Sequence, residues 1–197
     1  TGCLMMFSPE FDAVFAGLLG LLIGSFLNVV IHRLPKMLER QWAAECASLN
    51  AAPTPPAEIP QPTYNLITPR SACPSCGHPI AWHQNLPIFS YVALRGHCAA
   101  CGAGIGLRYP VVELTTGLLF AWCGWTWGLT PTGAMWAGFC ATVVALAGID
   151  WDTTLLPDDL TLSLLWAGMC GAGLSLTGTT LPNALWGAVA GYLSLWL

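Results

Sequence analysis

The chain has 197 residues, of which 55% are apolar and only 8% charged, with a net charge of −4. A soluble globular domain carries about 25% charged residues, so the composition excludes a disordered tail and indicates a membrane protein with some water-facing part. The acidic balance excludes a nucleic-acid binder, because phosphate contacts need a basic face.

All six cations, Arg33, Lys36, Arg40, Arg70, Arg95 and Arg108, fall between positions 33 and 108. After Glu113 the only charges are Asp150, Asp152, Asp158 and Asp159. Crossing the hydrocarbon core takes about 20 mainly apolar residues. Residues 13–31 form the first such segment, behind Glu10 and Asp12 and ahead of Arg33. It is too long for a secretory h-region, and no A-x-A site follows it. Gly17, Gly20 and Gly24 contain a G-x-x-x-G spacing, which lets a second helix approach closely. Asn28, one turn beyond Gly24, suits either an interhelical hydrogen bond or the lining of a site.

Residues 36–70 open with a short amphipathic stretch, Lys36 to Leu49, and continue into Pro53, Pro55, Pro56, Pro60, Pro62 and Pro69. Proline at that density cannot sit inside a helix or a central strand, so an extended spacer is expected. Residues 71–110 then hold Cys73-Pro74-Ser75-Cys76-Gly77 and Cys98-Ala99-Ala100-Cys101-Gly102. Two C-x-x-C pairs, each closed by glycine, form the knuckles of a zinc ribbon. The two-residue gap turns both sulfurs toward one ion, and glycine accepts the positive φ that brings backbone N–H groups to them. Cys73, Cys76, Cys98 and Cys101 are therefore the expected ligands of a structural Zn²⁺, a closed four-thiolate shell with no position for water. His78, His83 and His97 are expected at the surface or in packing. Cys3, Cys46, Cys123, Cys140 and Cys170 show no ligand spacing and are read as small apolar residues.

The uncharged stretch 114–149 is too long for one helix, and Pro131 divides it into segments near 111–129 and 132–149. A fourth segment, 160–178, closes at Gly178-Thr179-Thr180, and a fifth opens at Pro182 and reaches Leu197. That last one stops without a flanking charge or turn, which leads us to expect that the chain continues. Lys and Arg collect on the cytoplasmic side of a membrane. The expected topology therefore has the N-terminus outside, residues 33–108 in the cytoplasm, the 129–132 turn outside and Asp150–Asp159 back at the cytoplasmic face.

Those aspartates are the strongest candidates for chemistry, because ionisable groups at membrane depth are costly and usually functional. Asp150 follows an apolar segment directly and is expected to be the most deeply set. Asp152 points away from it on a helix, and Asp158 or Asp159 suits the N-cap of the next segment. A carboxylate can cleave a peptide when it shares a proton with a second one. No second acid is evident from spacing, and Asp152 and Asp158 stand as secondary candidates.

Three segments together resemble one family. Gly24-Ser25-Phe26-Leu27-Asn28-Val29-Val30-Ile31-His32-Arg33-Leu34-Pro35 is similar to the first-span signature of the bacterial type IV prepilin peptidases. Residues 73–113, with Asn85-Leu86-Pro87, Ser90-Tyr91, Leu94-Arg95-Gly96-His97-Cys98 and Arg108-Tyr109-Pro110, resemble their cytoplasmic zinc domain. Ile149-Asp150 to Leu156-Pro157-Asp158 resembles the first of their two aspartate motifs. The resemblance implies an α-helical integral membrane protein, a polytopic bundle at 111–197 joined to a small cytoplasmic four-cysteine zinc ribbon. It implies an inner-membrane aspartic endopeptidase that removes the leader of prepilins and type II secretion pseudopilins. It further implies methylation of the new N-terminus with S-adenosylmethionine. Asp150 takes the first catalytic position. The second belongs to a G-x-G-D motif that these residues lack, and is expected beyond Leu197. Two other readings are a membrane scaffold whose zinc ribbon docks a partner, and a cation carrier using Asp150.

Overall fold

A computed structural model describes residues 8–50, 64–73, 75–80 and 87–196. The expected proline-rich stretch from Pro53 to Pro62, and Cys3, His83, Asn85 and Leu86, lie outside the described residues. The described chain is helical: α1 (Pro9–Asn50), α2 (Phe89–Ala93), α3 (Arg108–Trp127), α4 (Pro131–Thr153), α5 (Asp158–Gly173) and α6 (Leu181–Trp196). Two isolated antiparallel bridges, Ala72 to Pro79 and His97 to Gly104, are the only strand pairing among the described residues.

The bundle is built on α1 and α3, which run antiparallel in close contact. Glycine makes that contact possible. A Cβ placed on Gly20 would meet the Phe120 Cβ at 2.6 Å, and one on Gly24 would meet the Glu113 Cα at 2.7 Å. The G-x-x-x-G face is thus where α3 lies. Opposite it, Phe11, Phe15, Leu18, Leu22 and Phe26 form an exposed apolar stripe along α1.

Helix α4 packs over this pair through two clusters. Ala16, Phe120, Cys123 and Ala137 fill one, and Leu27, Ile31, Ala145 and Ile149 the other. Gly148 admits Ile31, whose Cδ1 lies 2.6 Å from where a Cβ would stand. Cys123 and Cys140 pack here as small apolar residues, whereas Cys46 and Cys170 are exposed.

The α3–α4 turn is dictated locally. Gly128 ends α3 with φ 67°, Thr130 accepts the Gly133 N–H, and Pro131 takes the first helical position, where its missing N–H costs nothing. Asp12, completely buried at the start of α1, accepts the Leu129 N–H at 3.3 Å and ties α1 to this turn. At the same end of the bundle Trp127 stacks on Trp136, with Trp122 and Phe139 meeting them edge-on.

Helix boundaries depart from the sequence expectations in three places. α1 does not stop near Arg33 but continues through Pro35 to Asn50, so the start of the expected spacer is helical. Pro35 removes one backbone hydrogen bond and crowds the carbonyl one turn back, and α1 carries it at a buried position. α4 runs to Thr153, placing Asp150 and Asp152 on the helix itself. α5 begins at Asp158 and ends at Gly173, five residues before the expected break. Its last turn closes when the Leu176 N–H reaches the Gly171 carbonyl at 2.8 Å, with Ser175 left-handed at φ 58°.

Two helices, Pro9–Leu49 and Pro131–Thr153, are long and apolar enough to cross a membrane, with mean hydropathy 2.4 and 1.6. At 16 residues each, α5 and α6 are about 24 Å long, shorter than a typical hydrocarbon core.

Candidate functional site

The four cysteines come together. Their sulfurs all lie within 4.8 Å of one another, and Cys73 Sγ is 3.9 Å from Cys101 Sγ. Zn–S bonds of about 2.3 Å in a tetrahedron place sulfurs about 3.8 Å apart, so this set fits a zinc ion. The two knuckles are copies of one turn. In the first, the Gly77 N–H meets the Cys73 carbonyl at 2.9 Å, the Cys73 N–H meets the His78 carbonyl, and the Ile80 N–H meets the Ser71 carbonyl. In the second, Gly102 meets Cys98 at 2.9 Å, Cys98 meets Ala103, and Ile105 meets Gly96. Gly77 and Gly102 have φ 70° and 71°, the left-handed turn for which glycine was expected. His78 and His97 are exposed and outside the sulfur cluster.

The thiols differ in acidity. Backbone N–H groups of Cys76 and then Ser75 favour the Cys73 thiolate and bring its pKa down to about 6. The Ala103 N–H favours the Cys101 thiolate too, but the Cys76 sulfur, burial and the sulfurs of Cys98 and Cys73 outweigh it and push Cys101 up to about 11.

The chain leading into the first zinc knuckle is fastened to α1 by Arg33, which is only 7% exposed. Its guanidinium donates to the carbonyls of Asn65 at 3.0 Å, Leu66 at 3.3 Å and Pro69 at 2.7 Å. Two turns further along α1, Arg40 lies over the Tyr64 ring, 4.1 Å from its centroid. A planar fork suits three carbonyls at once in a way that an ammonium does not. The sequence marks Arg33 as a topological charge and part of the first-span signature, and does not foretell these carbonyl contacts.

A second buried polar group joins α1, α3 and the turn before α2. Glu113 is 8% exposed and accepts the Ile88 N–H at 2.8 Å, with Ser25 against it as well. Asn28, 6% exposed, donates from Nδ2 to the Tyr109 carbonyl at 3.1 Å, while its Oδ1 has no hydrogen-bond partner. The interhelical bond expected of Asn28 is therefore present. Ile88 has φ 58°, a conformation that costs a β-branched residue about 1–3 kcal/mol and marks functional turns. Glu113 was not singled out in the sequence, although a single acid set in the apolar run of α3 carried the needed signal.

Asp150 lies on the last turn of α4 at this same end of the bundle, directly after the buried Ile149. Contrary to expectation, its side chain is exposed on the chain's own surface, because α4 continues past it to Thr153. Asp152 pairs with Arg108 at 2.5 Å, linking the end of α4 to the start of α3. Asp158 and Asp159 are not N-caps. Pro157 holds that position, and both acids fall in the first turn of α5, where the helix dipole favours them. No recorded contact among the described residues brings Asp152, Asp158 or Asp159 to Asp150.

A family model described as the bacterial peptidase A24 N-terminal domain matches residues 18–127, and that of the type IV leader peptidase family matches residues 137–197. A Burkholderia pseudomallei protein named prepilin leader peptidase/N-methyltransferase is 50% identical over 92% of this chain and 58% of its own length. Proteins of the same name from Pseudomonas aeruginosa and Neisseria gonorrhoeae are 51% and 46% identical, over 91% and 98% of this chain and 60% and 66% of theirs. The chain thus spans about three fifths of the length of the curated relatives it matches. No solved structure matches it.

Proposed function

Since the chain belongs to the type IV leader peptidase family, we propose that it is the first part of the working unit of an intramembrane aspartic endopeptidase. That enzyme cleaves the leaders of prepilins and pseudopilins at the cytoplasmic face of the bacterial inner membrane, and methylates the N-terminus it exposes. The observation that carries this reading is the identity of about half the residues, over nine tenths of the chain, with relatives named for that pair of activities.

In the proposed reaction Asp150 is one of two carboxylates sharing a proton. The ionised acid takes a proton from water, whose oxygen attacks the scissile carbonyl. The protonated acid hydrogen-bonds the carbonyl oxygen as charge develops there. Collapse of the tetrahedral intermediate breaks the C–N bond, and the departing nitrogen takes up a proton. An exposed position on the last turn of α4 lets Asp150 meet a peptide lying along the membrane surface. Asp152 is held by Arg108, and the second carboxylate is proposed to lie in the part of the relatives' length that these 197 residues do not span.

Zinc would be held by Cys73, Cys76, Cys98 and Cys101 as a cross-link between the two knuckles. The described residues contain no strand–turn–helix unit of the dinucleotide-binding kind, and no residue is assigned to S-adenosylmethionine. The apolar stripe of α1 and the stacked tryptophans favour a polytopic bundle in lipid, with the tryptophans at the outer interface and the cation-bearing end in the cytoplasm.

Membranes bearing the protein should convert a prepilin to the leaderless form, with the new N-terminus methylated only when S-adenosylmethionine is supplied. Mass spectrometry of the substrate N-terminus reads both events. An intact leader after incubation would favour the scaffold reading instead.

A further inference from the structure

The buried polar cluster between α1 and α3 holds chemistry that leader cleavage at Asp150 does not use. Glu113 is a buried carboxylate with no cation against it among the described residues: Arg108 is engaged by Asp152, and Arg33 by the carbonyls of Asn65, Leu66 and Pro69. Its recorded partners are neutral donors, the Ile88 N–H and Ser25. Asn28 adds an acceptor. The Tyr109 carbonyl can only accept, so the amide nitrogen must face it, and Oδ1 is left without a donor. The two groups share one stripe of the interface. Gly24 passes against Glu113, and one turn later Asn28 meets Tyr109, itself one turn before Glu113.

This arrangement is rich in acceptors, offers a carboxyl group and is poor in donors, which is the complement of an ammonium group. It would repel a phosphate or a carboxylate. Its place in the bundle is also telling. Leu27 and Val112, the chain neighbours of Asn28 and Glu113, pack in the cluster around Ile149, the residue before Asp150. The cluster therefore stands beside the helix end from which a peptide would be cut.

We propose that Glu113 and Asn28 form a binding site for the α-ammonium group of the peptide that leader cleavage releases. The inference rests on the leader-peptidase reading above and gives the second activity its acceptor site. The Ile88 turn is its cover: the incoming ammonium replaces the Ile88 N–H on Glu113, which frees Ile88 from its left-handed conformation.

The test measures binding to the intact enzyme in lipid nanodiscs, using a synthetic leaderless prepilin peptide and its N-acetylated twin. The wild-type enzyme should prefer the free amine by about tenfold or more, the worth of a charged hydrogen bond. Glu113→Gln should bring the two peptides to nearly equal affinity. Asn28→Leu, which removes the unpartnered oxygen while keeping an apolar helix contact, should narrow the preference and serves if Glu113→Gln fails to fold. A preference as large as the wild type's in either folded variant overturns the site. A parallel titration with S-adenosylmethionine, which carries its own α-ammonium, separates the two sources. Weakened binding of that compound with peptide binding unchanged would also overturn the proposal. Leader cleavage by the same wild-type preparation is scored independently, so a protein that cleaves no prepilin refutes the underlying reading, and one that cleaves but shows no dependence on Glu113 refutes the site alone.

Discussion

Cys73 and Cys101 are chemically the same side chain, yet backbone N–H groups bring Cys73 down to about 6 while neighbouring sulfurs and burial push Cys101 up to about 11. At neutral pH the metal-free cluster therefore presents Cys73 as thiolate and Cys101 as thiol. Zinc needs all four sulfurs deprotonated, so uptake at pH 7 must expel protons, and apparent affinity must rise with pH. Below about pH 6 Cys73 is protonated as well, and affinity falls further. Zinc titration in weakly buffered solution, read by proton release, checks this, and an affinity independent of pH between 6 and 8 would contradict it. The ligands were legible because spacing and glycine chemistry are local. Asn28 was legible as an interhelical or site-lining residue, but the contacts of Arg33 and Glu113 were not. Their roles depend on carbonyls and helices distant in sequence, as in the bond from Arg33 to Pro69.

At the scale of elements, the α1–α3 pair explains why glycine stands at positions 20 and 24. A side chain on Gly24 would run into the Glu113 backbone, which cannot rotate away as a side chain can. Gly24→Val should cost about 1–3 kcal/mol through overpacking and should lower the thermal midpoint in detergent. Gly138 on α4 has open space around it. Gly138→Ala should leave stability unchanged or raise it by up to about 1 kcal/mol, the difference in helix propensity. Equal effects at the two positions would remove the close-approach argument. Sequence reasoning anticipated the close helix pair from G-x-x-x-G and the α3–α4 turn from Pro131, because both devices act over a few residues. It misplaced the end of α5 because Ser175, not a glycine, adopts the left-handed closing conformation. It ended the first segment at residue 31 because Arg33 follows, whereas α1 carries that guanidinium on the carbonyls of Asn65, Leu66 and Pro69 and continues.

For the whole molecule, charge sorts by position along the bundle. Arg33, Arg108, Asp150 and Asp152 gather at one end with the zinc knuckles, while Asp12, the Gly128–Thr130 turn and the stacked tryptophans mark the other. The scarcity of charge in the sequence foreshadowed this, since so few ionisable residues in an apolar chain have to be placed where water or a partner can meet them. The account's central claim is that Asp150, at the end of α4, carries the peptide-cleaving chemistry while zinc only holds the knuckles. Replacing Asp150 with Asn, in the enzyme as it occurs in its membrane, tests this most directly through leader cleavage and zinc content measured on one preparation. The account predicts cleavage reduced by about 10²-fold or more, as expected for loss of a general acid–base group, with zinc content unchanged. Cleavage at the wild-type rate by Asp150→Asn protein would contradict it.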